Sequence, residues 1–304
     1  MKNYDLFGEE IKNKNKLSDT YIIPPFSIFD TQSGDWQKRK NKWKDLGIKS
    51  EIGREVEESH ATTMSRLTEE EYKKRYGRKP MDSSSIFDPV LCEIIYNWFC
   101  RENGNILDPF AGGSVRGIVA NYLDYYYTGI ELREEQVDAN KGQAETIFQS
   151  TPNTIQPEWI IGDSNKELDK MDRMFDFMFS CPPYYDLEIY CDDPDDLSNM
   201  QYNEFNKVYE EIIYKCCKLL KDNSFACFVV GNCRNKDGYI MDLVGNTIRA
   251  FEKAGLKLYN DIILRNAYGT AMLRANTFMR YKKVVKVHQN ILVFCKGNPK
   301  EFID

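Results

Sequence analysis

Histidine is nearly missing from this 304-residue sequence, which holds only His60 and His288. A histidine general base would have to be one of these two, and neither sits in a recognisable motif, so catalysis driven by histidine is not expected. The nine cysteines, at positions 92, 100, 181, 191, 216, 217, 227, 233 and 295, include no C-x-x-C pair. Without clustered Cys and His ligands at short spacing no metal site is expected, and the thiols read as reduced core or near-core residues. Long apolar runs are lacking too. The longest, around Phe225 to Val230, falls far short of the ~20 residues of a membrane span. The opening MKNYDLFGEE has no apolar core of an export signal, so a cytoplasmic location is expected. Nor does one sign of charge dominate: 41 Lys and Arg face 47 Asp and Glu, a net charge of −6. With 42% hydrophobic and 29% charged residues the composition is that of a globular protein, with one large domain and an appendage, or two domains.

The chain changes character along its length. Residues 1–84 are polar, charged and irregular, with Pro24-Pro25, the basic stretch WQKRKNKWK (Trp36 to Lys44) and a mixed-charge helix-like run from Leu67 to Tyr76. From Ser85 onward short apolar strands alternate with helical patterns. Asp88-Pro89 suits a helix start, and Leu91, Ile94, Ile95 and Trp98 recur at helical spacing. Strands are expected at 105–110, 126–132, 159–162, 175–180, 225–231, 258–264 and 290–294, with helices near 115–123, 134–147, 203–220 and 239–254. Seven strands with interleaved helices predict an α/β fold, a doubly wound and mostly parallel sheet. In such a sheet, ligand-binding residues belong just beyond the carboxyl ends of strands.

Three motifs stand at those places. ILDPFAGGSVRG ends a strand in a Gly-Gly turn that opens a helix, offering close backbone approach and free N–H groups. Glu131, in GIELREEQ, ends the next strand, where a carboxylate can accept hydrogen bonds from a ribose diol. Asp163, in IIGDSN, follows the third. A Gly-Gly turn alone can be only a turn; the three in order describe a cofactor containing adenosine. The loop lacks both G-x-G-x-x-G and the lysine of a phosphate-binding loop, which disfavours a dinucleotide and a nucleoside triphosphate. S-adenosylmethionine (AdoMet), with ribose and adenine but no pyrophosphate, suits the carboxylates better.

The fourth motif is Cys181-Pro182-Pro183-Tyr184-Tyr185-Asp186, directly after strand 175–180. Two prolines cannot continue a sheet, so the chain must leave rigidly, with an outward carbonyl and an aromatic behind it. A D/N/S-P-P-Y element after strand four, with an F-x-G loop after strand one, resembles the amino-group DNA methyltransferases, which modify adenine N6 or cytosine N4. The resemblance covers residues 85–297. The opening PPFSIFDTQSGDWQKRKNKWKDLGIKSEIGRE is also similar to N-terminal segments of phage and mobile-element methyltransferases, a restriction–modification setting. The resemblance implies a class I AdoMet methyltransferase domain at 85–304, behind an irregular N-terminal extension at 1–84. It implies AdoMet as cofactor, held by Asp108, Pro109, Phe110, Gly112, Gly113, Ser114, Glu131, Asp163 and Ser164. It assigns Cys181, Pro182, Pro183 and Tyr184 to catalysis: acceptors at 181 and 182 for the amine protons, and Tyr184 to stack on a flipped base.

Here the sequence departs from the family pattern, because cysteine occupies the place of Asp, Asn or Ser, and a thiol is a weak acceptor. Either the Pro182 carbonyl carries more of that role or a neighbour such as Asp186 contributes. A nucleophilic cysteine, as in pyrimidine C5 methylation, would follow the proline instead of preceding it. Double-stranded DNA is the expected partner. Between Ile262 and Lys300 there are eight basic residues and no acidic one, and a basic loop at 266–289 is expected to contact phosphate through Arg265, Arg274, Arg280, Lys282, Lys283 and Lys286. Trp36–Lys44 is a second candidate contact, or a surface amphipathic helix. Asp192, Asp193, Asp195 and Asp196 read as a loop ending at a helix start. Methylation of RNA or of a protein glutamine, and a DNA-binding relic without catalysis, stay open at this stage, as does a homodimer.

Overall fold

A computed structural model describes residues 17–48, 87–149, 155–185, 195–235, 237–269 and 271–302. The helix-like run at 67–76, together with His60, Asp186, Cys191, Asp192 and Asp193, lies outside the described residues. In chain order the elements are α1 (Leu17–Tyr21), β1 (Ile28–Asp30), α2 (Gly34–Asp45), α3 (Pro89–Phe99), β2 (Asn105–Asp108), α4 (Val115–Tyr122), β3 (Tyr126–Glu131), α5 (Glu134–Phe148) and β4 (Glu158–Ile161). They continue as α6 (Ser164–Glu167), β5 (Phe175–Ser180), α7 (Tyr202–Leu219), β6 (Leu220–Val230), a short ribbon of β7 (Cys233–Arg234) and β8 (Ile240–Met241), α8 (Leu243–Lys253), β9 (Lys257–Arg265), α9 (Ala271–Arg280) and β10 (His288–Lys296).

The main sheet runs β1-β9-β10-β6-β5-β2-β3-β4, parallel throughout except β10, which is antiparallel to both its neighbours. The chain winds outward from β2 to β3 and β4, then returns to lay β5 on the other side of β2. The strand order therefore reverses between β2 and β5, where a doubly wound sheet opens a ligand crevice. Every residue of β5 is buried, and from Phe177 onward its side chains alternate between two cores. Phe177 and Phe179 join the cluster under α3, α4 and α5, while Met178 joins the one under α7 and α8. The Asp88 carboxylate caps α3 by accepting from the Val90 N–H at 3.0 Å, with Pro89 in the first turn. Among the described residues no helix is long and apolar enough to cross a membrane.

Four parts differ from the sequence-based expectation. The sheet has eight strands instead of seven, because Ile28–Asp30 from the segment read as irregular pairs in parallel with Ile263–Arg265. Phe29, 1% exposed, is the anchor. The basic stretch at 36–44 is a docked helix: Trp36 and Trp43, seven residues apart, are both buried. Arg39 Nε donates to Glu93 at 2.6 Å and Lys40 Nζ to Asp88 at 2.8 Å, so two of its cations face α3 carboxylates. The connection at 266–289 contains α9, which its Ala, Met, Leu and Arg residues favour. Finally, β6 begins five residues earlier than the apolar run, taking in the polar Lys221–Ser224 stretch with a register shift opposite Phe175/Phe177.

Candidate active site

A cavity of about 690 Å3 opens beyond the carboxyl ends of the parallel strands. One wall is the turn after β2. Proline cannot donate to the ladder, so the strand ends at Asp108 and the chain turns through Pro109 and Phe110 into Gly112, whose φ of +51° favours glycine. A Cβ at Gly112 would meet nothing within 4 Å, so the backbone there faces open space. The Gly112 N–H donates to Glu131 Oε2 at 2.9 Å, and the other carboxylate oxygen accepts from the Arg133 N–H at 3.1 Å. Glu131 is thus fixed by two backbone N–H groups and by Arg133 Nε at 3.4 Å, with its carboxylate on the cavity wall. Asp163 caps α6 by accepting from the Asn165 N–H at 2.9 Å, and the Ser164 hydroxyl donates to the Pro109 carbonyl, tying the ends of β4 and β2.

The opposite wall is Cys181–Tyr184. Tyr184 Oη accepts from Gln289 Nε2 at 2.7 Å, lies 3.4 Å from the Val229 carbonyl, and is 3.7 Å from Cys181 Sγ. The turn ends at Tyr185, whose φ of +57° is uncommon for a residue with a Cβ, and its ring packs on Tyr202 and Phe205. Thr31 and Gln32 after β1, with Asn266 and Ala267 after β9, complete this side. Pro109, Phe110, Gly112, Gly113, Ser114, Glu131, Asp163, Ser164 and Cys181–Tyr184 therefore share one cavity, as their positions at strand ends require.

Asp108 is the exception. It is fully buried and absent from the cavity wall. Its Oδ2 accepts from Arg116 Nε at 2.6 Å and Tyr127 Oη at 2.7 Å; its Oδ1 accepts from Ser180 Oγ at 2.5 Å and the Phe110 N–H at 3.2 Å. Four donors saturate a carboxylate, so Asp108 cannot be the cofactor ligand the resemblance implied. Burial pushes the Tyr127 hydroxyl well above the ordinary tyrosine range, which keeps its proton on the donor. Burial alone would lower Arg116, but the Asp108 carboxylate outweighs it and holds the guanidinium charged. Arg116 also donates through Nη2 to the Phe110 and Ala111 carbonyls at 2.5 and 2.8 Å. Sequence reasoning passed over Arg116. Its signal was present, a single charged residue in the otherwise uncharged helix VRGIVANY.

None of the six basic residues expected to meet DNA lines the cavity. Arg265 pairs with Asp30 at 2.8 Å and stacks over Tyr268, which fastens β1. Arg274 turns back toward Phe278, with its Nε buried and without a partner. Arg280 and Lys282 are exposed at the end of α9, and Lys283 follows them. Lys286 Nζ lies 3.5 Å from where a Cβ on Gly231 would stand, with the Tyr184 ring equally near that point; burial lowers its pKa. Of the acidic cluster, Asp195 pairs with Lys166, and Asp196 caps a short helical turn by accepting from the Ser198 N–H at 2.8 Å. Among the described residues, no group of three or more His, Cys, Asp or Glu side chains could hold a metal ion.

No protein-family model matches the chain, and no curated protein matches it. Among solved structures the chain is similar to TrmN from Thermus thermophilus, at 14% identity and a TM-score of 0.45, over 69% of this chain and 49% of that one. It is similar to precorrin-6y C5,15-methyltransferase from Geobacter metallireducens, at 13% identity and a TM-score of 0.45, over 71% of this chain and 91% of that one. A third is magnesium protoporphyrin IX methyltransferase from Synechocystis, solved with bound SAM, at 10% identity and a TM-score of 0.43, over 80% of this chain and all of that one. The chain spans about half the length of the Thermus protein.

Proposed function

We propose that this chain is an AdoMet-dependent methyltransferase acting on the exocyclic amine of a base in double-stranded DNA, with adenine N6 favoured over cytosine N4. The observation that carries the reading is the single cavity walled on one side by the Gly112 turn, Glu131 and Asp163 and on the other by the Cys181–Tyr184 kink. The residues present fit the cofactor. The cavity volume lies within the ~300–1,000 Å3 usual for small-molecule sites. Among the described residues, the cations on its wall are Lys40, Arg116 and Arg133, and each is already paired with a carboxylate, Asp88, Asp108 and Glu131 respectively. That leaves none of them to meet a pyrophosphate, and it suits a ligand that carries positive charge and a ribose.

When bound, AdoMet supplies a methyl group on a positively charged sulfonium. The chain's own task is then alignment, which is worth ~7–11 kcal/mol in favourable cases. Glu131 would hold the ribose diol, and the Gly112–Gly113 backbone would let the ligand lie close. Tyr184, its hydroxyl fixed by Gln289, offers a ring face to a base, and base–aromatic stacking contributes ~1–3 kcal/mol toward the cost of extruding that base. The Pro182 carbonyl is the stronger acceptor for the amine proton, with Cys181 Sγ the weaker. The exposed cations beyond α9 would keep the DNA backbone outside the cavity.

Transfer of label from isotopically marked AdoMet to duplex DNA, tRNA and protein tests the reading. Label is expected on DNA, recovered as N6-methyladenine or N4-methylcytosine. Label on tRNA or protein alone, or no AdoMet binding by calorimetry, would overturn it. Cys181→Ala should trap no covalent adduct with DNA containing 5-fluorocytosine, and neither should the unaltered protein; an adduct in the latter would instead mean C5 chemistry.

A further inference from the structure

We propose that the buried Asp108–Arg116 pair is a positioning device that locks the cofactor turn after β2 to the acceptor kink after β5, fixing the distance between the two reactants. The kinetic part of this inference rests on the function proposed above; the mechanical part does not. The two strands are neighbours across the point where the sheet order reverses, so the segments leaving them diverge and nothing in the ladder holds them together. Asp108 bridges that gap. One carboxylate oxygen takes the Ser180 hydroxyl, one residue before Cys181, and the Phe110 N–H in the cofactor turn. The other takes Arg116 Nε.

Arg116 then reaches forward and donates to the Phe110 and Ala111 carbonyls, immediately ahead of Gly112. Its guanidinium sits 4.5 Å over the Phe87 ring, while Phe87 meets Phe179 of β5 edge-on. A planar fork with several fixed donors can satisfy two carbonyls and a carboxylate together; a lysine cannot. The cofactor turn and the kink are therefore referenced to one carboxylate. Both elements shift if that carboxylate loses its geometry, and a displacement of about 1 Å can cost roughly a hundredfold in rate.

The test uses three variants of the full chain, read by hydrogen exchange, AdoMet calorimetry and transfer kinetics. Ser180→Ala removes the link to the kink and leaves no unpaired charge. It should lower kcat about tenfold or more while the AdoMet Kd stays within about twofold. Arg116→Lys keeps the charge but loses the fork, and should speed amide exchange in both 109–113 and 181–184. Tyr127→Phe strips another donor from the same carboxylate without touching either segment; it should lower the melting temperature as Ser180→Ala does, with a smaller effect on kcat. Faster exchange in 109–113 alone on Arg116→Lys would overturn the coupling, even if the wild type bound no AdoMet. So would equal proportional losses in kcat and AdoMet affinity in Ser180→Ala. Absence of AdoMet binding in the wild type would sink the proposed function instead and leave the exchange result standing.

Discussion

The two walls of the cavity are built by opposite strategies. The cofactor wall comes from consecutive βα units between Asp108 and Ser164, and it is held by buried hydrogen bonds centred on Asp108, Arg116 and Glu131. The acceptor wall draws on Thr31, Cys181–Tyr184, Asn266 and Gln289, which lie far apart in sequence. Its contacts converge on one hydroxyl: Tyr184 Oη accepts from Gln289 Nε2 at 2.7 Å and lies 3.4 Å from the Val229 carbonyl and 3.7 Å from Cys181 Sγ. On the proposed function, the wall built from one run of chain would hold a small invariant molecule, and the wall assembled from distant segments would admit part of a larger partner.

That contrast can be broken at its strong end first. Asp108→Ala or Arg116→Met leaves an unpaired charge in the core and should cost ~3–5 kcal/mol of folding stability, read by urea unfolding. A loss below about 1 kcal/mol would mean the cofactor wall is not rigidly held. Next, Glu131→Gln should weaken AdoMet binding by ~1.5–3 kcal/mol, the worth of a hydrogen bond to a charged group, with the KM for DNA unchanged. At the opposite wall, Gln289→Leu removes the 2.7 Å hydrogen bond to the Tyr184 hydroxyl. It should raise the KM for DNA about fivefold, equivalent to ~1 kcal/mol, and leave the AdoMet Kd alone. The smallest effect belongs to the rim: Lys282→Ala should reduce the slope of log affinity against log salt by about 1, without altering the sequence preference. If Arg265→Ala gave the same slope change with no loss of stability, its pairing with Asp30 would not matter to the fold.

The same division explains what could be read from the sequence. The cofactor wall was legible because strand, turn and helix follow one another within about sixty residues, and the glycines and carboxylates mark strand ends directly. The kink was legible because two successive prolines admit few backbone paths. Asp108 was misread for the same reason: its place at a strand end says nothing about a partner at 116 or 180. Ile28–Asp30 is too short for periodicity to reveal it, and its pairing with β9 is settled by tertiary contact alone. The cations at Arg39, Lys40 and Arg265 looked free for phosphate because sequence displays charge but not the carboxylate that faces it. Gln289 was hidden just ahead of the apolar run Ile291–Cys295.

β1 also sets an order of events. Its hydrogen-bonding partner is synthesised more than two hundred residues later, as the separation of 235 positions between Asp30 and Arg265 records. While the nascent chain emerges, the units from β2 to β4 can associate through nearby contacts, whereas Phe29 has no strand to lie against until β9 exists. Contacts so remote form slowly, because a long loop must first be closed. The newborn protein would thus acquire the wall after β2 early and the wall beside Tyr184 only once β9 has formed.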